Sequence, residues 1–184
     1  DTQFLKIPEI SAKPMLGSHL MDRQNNDMRI PKTIYVAIFV LTASIGVVFG
    51  LIASLQDNLG FKNGVLGLIA ASAFFSAVLA QLFLAPFADR GFTKALMVAA
   101  VSVAALGSLW FALASSAWGL IIARTLTGLG IGTFAPAARA VVANADIRRA
   151  GERLGQLTAV ETSGFVAGPV IGAFINEIWG LKAP

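Results

Sequence analysis

The chain has 184 residues, of which 56% are hydrophobic and 13% charged, with a mean hydropathy of +0.74, a formal charge of +4 and no cysteine. Soluble domains are about 45–50% apolar and about 25% charged, so a chain that departs from both values in the same direction, with long uncharged stretches, is not a disordered segment, a nucleic-acid binder or an ordinary soluble enzyme. What remains is an all-α, polytopic membrane protein, and without cysteine it has neither disulfides nor thiol chemistry.

Residues 1–32 are polar, mixed in charge and hold three of the seven prolines, and they lack the apolar core of a signal peptide. They read as a tail. Five stretches then reach the roughly 20 apolar residues that a membrane-crossing helix needs. The first, 33–55, carries Gly46 and Gly50 four residues apart. The second, 64–87, carries Ser72, Ser76 and Gln81, and the third, 95–115, is almost wholly apolar. Only Ser116-Ala117 separates it from the fourth, 118–143, which contains Arg124, Gly128, Gly132 and Arg139. The fifth, 154–178, contains Glu161, Gly164, Gly168, Pro169 and Gly172. None of the five alternates as a β-barrel strand would. Loops this short make successive helices antiparallel and leave no room for an extramembrane catalytic domain.

The charges orient the bundle. Lys6, Lys13, Arg23, Arg29 and Lys32 precede span 1, Arg90 and Lys94 lie between spans 2 and 3, and Arg148, Arg149 and Arg153 lie between spans 4 and 5. The opposite side holds only Lys62 and Lys182. An excess of Lys and Arg marks cytoplasmic loops, so the N-terminus is expected in the cytoplasm, as a cytoplasmic tail of an integral, inner-membrane protein.

Residues four apart on a helix fall close to one face, so Gly128 with Gly132, and Gly164 with Gly168 and Gly172, form stripes on which another backbone can approach closely. Pro169 removes a helix hydrogen bond inside the second stripe and is a candidate bend. Arg124 and Glu161 are the candidates for proton coupling or cavity lining, because a charge within hydrocarbon is paired, faces water or serves function. Glu161 falls near the direction of Gly168 and Gly172 and is expected to face what that stripe faces. By depth Arg139 is its nearer cation, so a plain ion pair stands beside the proton-carrier reading. Thr125, Thr127, Thr133, Ser72, Ser76 and Gln81 either line a polar path or hydrogen-bond to their own backbone. His19 is the one histidine, and no metal or other cofactor is expected.

Three segments, in order, resemble motifs of the major facilitator superfamily of secondary transporters. Ala85-Pro86-Phe87-Ala88-Asp89-Arg90-Gly91-Phe92-Thr93-Lys94 resembles its first cytoplasmic loop motif, with Asp89, Arg90 and Lys94 matching and Ala85, Phe92 and Thr93 departing. Arg124 followed by Gly128 resembles the span 4 motif, with Thr127 in place of the usual glutamine. The run from Gly164 to Ala173 resembles the span 5 motif of drug/proton antiporters, with Ala173 in place of a last glycine. The resemblance implies a five-span portion of the family's N-terminal half. It implies a gating charge network at Asp89, Arg90 and Lys94, proton coupling at Arg124, and a bend at Gly168-Pro169 packing span 5 against the second half. It further implies alternating access around a midplane site for a small molecule, with protons as co-substrate and the lipid bilayer as surroundings. Span 1 lacks the membrane-embedded acid that many proton-coupled exporters of the family carry, a part for which Glu161 is the substitute at hand. Five spans enclose no substrate alone, so the expected partner is the second half of a transporter. The alternative is a set of membrane subunits around a non-transporting relative.

Overall fold

The computed structural model describes residues 30–87 and 91–179. Five long helices follow one another: α1 (Lys32–Leu59), α2 (Asn63–Phe87), α3 (Thr93–Leu113), α4 (Ala117–Ala145) and α5 (Ala150–Trp179). A short 3-10 turn, Ile147–Arg149, joins the last two, and no strand occurs among the described residues. At 1.5 Å per residue these helices are ~32–45 Å long, enough to cross a hydrocarbon layer of ~30 Å. All five are long and apolar enough to span a membrane. Most extend a few residues beyond the expected spans because charged and polar end residues such as Asn58 and Glu152 still hold helical geometry.

Local chemistry sets the ends. Gly60 takes the left-handed conformation, φ 65°, and donates its N–H to Gln56 O, closing α1 in a way a Cβ would oppose. Ser116 accepts from the N–H of Gly119 at 3.1 Å and caps α4. Asp146 accepts from the N–H of Arg148 at 3.1 Å and lies 3.7 Å from Arg153, which fixes the turn into α5.

Close-approach contacts give the helix directions. Gly46 and Gly50 of α1 lie against Phe165–Gly168 and Pro169–Ala173 of α5 respectively, so these two helices run parallel. Gly128 and Gly132 of α4 lie against Ala73 and Ala77 of α2, also parallel. Gly130 of α4 meets Ala100 and Ala104 of α3, whereas Gly107 of α3 meets Ala123 and Thr127, so this pair is antiparallel. Helix α4 is therefore central, with α2 on one side and α3 on the other, while α1 and α5 pair along their length. Each seam is centred on Gly, with Ala, Ser or Thr among the residues it meets, because helices in lipid gain packing energy by bringing backbones together, not by hiding apolar surface from water.

Two apolar clusters fill the bundle. One surrounds Ile38, Leu41, Ala77, Ile131, Phe134 and Val142, and the other, toward the opposite end, surrounds Leu51, Leu55, Leu66, Ile69 and Leu120. Helix α3 buries only Ala100, Ala104 and Gly107 and is the most peripheral. Exposed Phe75, Phe83, Leu106, Leu113 and Phe174 present a surface suited to hydrocarbon.

Candidate functional site

Helix α4 carries two arginines into different surroundings. Arg124, about two turns from its start, is 1% exposed. It donates to the backbone carbonyls of Ser44 at 3.3 Å and Ile45 at 3.2 Å, crossing to α1. Its Nε has no hydrogen-bond partner among the described residues, and no carboxylate there pairs with it. Beside it, between α1, α3 and α4, is a recess of about 70 Å³.

Arg139 lies fifteen residues further along α4, a helical rise of ~22 Å. Its Nη2 donates to Glu161 Oε2 of α5 at 2.6 Å, and both side chains are partly exposed. This pair sits in a second cavity, of about 390 Å³, between α1, α2, α4 and α5. Thr42, Gln81, Thr158 and Thr162 add polar groups to its wall, and Phe74 and Phe165 add aromatic ones. Phe74 and Phe165 join Phe49 of α1 in a three-ring cluster with centroids 5.9–6.3 Å apart, two of the pairs edge-to-face. The cavity is thus amphipathic. Its wall carries the charge pair and, one helical turn along α5 from Glu161, the ring of Phe165 beside that of Phe74.

Arg124 and Glu161, both candidates for proton coupling or cavity lining, lie in two sites, and Glu161 pairs with Arg139, the cation that depth placed nearer. The two sites meet through α1, where the Ile45 carbonyl accepts from Arg124 while Ile45 also lines the larger cavity. Glu161 shares α1 with the glycine stripe, since Thr42 and Ile45 line its cavity, but it also reaches α4. Gly164, Gly168 and Gly172 lie on Phe39 and Thr42, on Ala43 and Gly46, and on Val47 of α1, whereas Glu161 reaches Arg139 of α4. The stripe that the family resemblance directed at a second half is covered within this chain, because Gly46 and Gly50 let α1 come as close as α5 allows. Gly128 and Gly132 meet α2 in the same manner, and Pro169 lies inside α5 with its ring against Gly46.

Thr125, Thr127, Thr133, Ser72 and Ser76 all donate to carbonyls three or four residues back, so the backbone reading holds for them, and Gln81 alone of that set lines the larger cavity. Lys94 is exposed in the first turn of α3, and Asp89 and Arg90 lie outside the described residues. Sequence reasoning missed the Phe49–Phe74–Phe165 cluster and the Asn176–Ser54 hydrogen bond of 2.7 Å between α5 and α1. Nothing in the spacing of three phenylalanines on three spans signals their meeting. No group of three or more metal-binding side chains occurs among the described residues.

A family model described as Major Facilitator Superfamily matches residues 34–184. An uncharacterized MFS-type transporter of Methanocaldococcus jannaschii is 27% identical over 152 residues, 82% of this chain and 39% of that protein. The quinolone resistance protein NorA of Staphylococcus aureus is 25% identical over 146 residues, 79% of this chain and 38% of that protein. The chain therefore spans about two-fifths of the length of these curated relatives.

Proposed function

The chain belongs to the Major Facilitator Superfamily, and on that premise we propose that it forms one wall of a proton-coupled exporter of small amphipathic molecules that works by alternating access. The observation that carries the reading is the amphipathic cavity between α1, α2, α4 and α5, whose wall combines the Arg139–Glu161 pair with the rings of Phe74 and Phe165. A second half of the transporter closes that cavity. The similarity to NorA, a quinolone resistance protein, supports export of a small molecule.

In this reading Glu161 is the proton carrier. Its carboxylate is held by Arg139, and a proton arriving there removes the attraction and frees the guanidinium for substrate or for the second half. Arg124 couples that event to movement by gripping α1, which supplies Thr42 and Ile45 to the cavity wall. Asp89, Arg90 and Lys94 gate the cytoplasmic side, and the N-terminus lies in the cytoplasm of a cell whose inner membrane holds the protein.

The test is gradient-driven transport. Full-length protein in proteoliposomes should move a fluorescent amphipathic dye in response to an imposed proton gradient, and Glu161→Gln should retain dye binding but lose the response to the gradient. Undiminished gradient-driven flux in Glu161→Gln would remove Glu161 from the coupling step. These 184 residues hold no cysteine, so within them an introduced thiol is unique and reports the orientation. Lys62→Cys should react with an impermeant maleimide in intact cells, and Lys94→Cys only after permeabilisation.

A further inference from the structure

Arg139 and Glu161 are the charged side chains on the wall of the larger cavity among the described residues. The stretches of α1 and α2 that line it carry no titratable group. The wall therefore holds one fixed cation and one fixed anion, with no net charge. Neither is shut away. The Arg139 side chain is 41% exposed and that of Glu161 24%, so a molecule in the cavity can reach both.

This balance restricts what binds well. A partly exposed ion pair contributes little, so opening it costs little, provided that both charges find new partners. A charge left alone in a site closed from water is expensive. A cation can take Glu161, but it strands the Arg139 guanidinium beside itself. An anion can take Arg139, but it strands Glu161. A neutral molecule leaves the pair shut and gains only from hydroxyls and rings. A molecule with both charges replaces one ion pair by two, with signs alternating from guanidinium to carboxylate to ammonium to Glu161.

The rings add a third requirement. Phe165 follows Glu161 by one turn of α5, a rise of ~6 Å. Its ring stands edge-to-face to that of Phe74, with centroids 6.3 Å apart. A flat apolar group carried about that far from the two charges meets these rings. The cavity, about 390 Å³, is of the size that small-molecule sites have, roughly 300–1,000 Å³.

We propose that the larger cavity selects zwitterions: small molecules with a carboxylate for Arg139, an ammonium for Glu161 and a flat apolar group for Phe74 and Phe165. This names the substrate class of the proposed exporter and rests on that reading for transport, whereas binding does not require it. The charge arrangement also fits the direction of coupling. Ammonium and proton compete for the Glu161 carboxylate, so an arriving proton dislodges that end of the molecule and leaves the guanidinium to the second half. A plain anion would be held through Arg139, and a proton on Glu161 would tighten it, sending substrate and proton the same way. Export against an inward proton gradient needs competition.

Three indoles that share a ring and differ in charge test this on the full-length protein in nanodiscs, without a gradient. Tryptophan is the zwitterion, tryptamine the cation and indole-3-propionate the anion. Calorimetric titration should give tryptophan a Kd at least about tenfold below the other two, since it makes one more charge-assisted contact than either. Tryptamine or indole-3-propionate binding as tightly as tryptophan overturns the proposal, and so does binding by none of the three. Arg139→Gln should bring tryptophan to the level of tryptamine, and Glu161→Gln to that of indole-3-propionate. Unchanged tryptophan binding in both variants also overturns it. Loss of gradient-driven flux with this ranking intact removes the exporter and leaves the zwitterion site. Flux with the ranking reversed removes the zwitterion alone.

Discussion

Adding one methyl group to the α1–α5 seam should weaken the bundle, and the expected size follows from the backbone positions. A Cβ on Gly168 would lie 2.5 Å from Ala43 O, 2.7 Å from Gly46 Cα and 2.8 Å from the Gly46 carbonyl carbon. All three are backbone atoms of α1, which cannot swing aside as a side chain can. Ordinary contact begins near 3.4 Å, so α5 must withdraw by nearly 1 Å. Gly164 and Gly172 lie in the same seam against Phe39 and Val47, so the withdrawal loosens contacts over three turns. Overpacking of this kind costs about 1–3 kcal/mol, which for a full-length protein of its relatives' size is a Tm loss of roughly 1–4 °C. Gly155→Ala on the same helix is the matched control. Its Cβ meets nothing within 4 Å, and relief of glycine's backbone entropy should leave the Tm unchanged or raise it by about 0.5–1 kcal/mol worth of stability. Thermal unfolding of both variants of the full-length protein, followed by intrinsic fluorescence in nanodiscs, gives the comparison. Equal Tm values for Gly168→Ala and Gly155→Ala would refute the idea that backbone approach at this seam holds α1 to α5.

Further variants probe the polar groups. Arg124→Met should fold with a Tm close to the parent, because exchanging a buried charge for an apolar side chain is often neutral. It should nevertheless lose gradient-driven transport, and a Tm loss as large as that of Gly168→Ala would make Arg124 chiefly a structural strut. A double-mutant cycle on Arg139→Gln and Glu161→Gln should give a coupling of about 1 kcal/mol, falling at high salt, since the pair is partly exposed. Additive single effects would mean that the 2.6 Å contact carries no energy of its own. Asn176→Ala removes the hydrogen bond to Ser54 and should cost about 0.6 kcal/mol, with Ser54→Ala adding nothing further on that background.

Helix α1 has three parts in this bundle. Its carbonyls at Ser44 and Ile45 accept from Arg124, its small residues Ala43, Gly46 and Gly50 admit α5, and Thr42 and Ile45 line the larger cavity. Movement of α1 therefore alters the cavity wall, the α5 seam and the Arg124 contacts together. That linkage gives the alternating-access proposal a physical element to act on.

Sequence alone determined the five apolar helices, their approximate lengths and the glycine stripes of spans 1, 4 and 5. Hydrophobic length is a property of the chain, and lipid enforces helical hydrogen bonding within each span. It also marked Arg124, Arg139 and Glu161, because a charge among apolar residues stands out in any order of packing. Only the tertiary structure decided which seam each glycine serves. The ladder from Gly164 to Gly172 could have faced a partner, and it faces α1 because Gly46 and Gly50 there complete the fit. Depth along the spans already put Arg139 nearer to Glu161 than Arg124, but only the structure supplied the contact itself, since it depends on which helices become neighbours and on how long side chains bend. The three phenylalanines and the recess beside Arg124 belong to the same class, each being built from residues on three helices. Span by span those residues are ordinary. They become a site only when α4 brings α1, α2, α3 and α5 around itself.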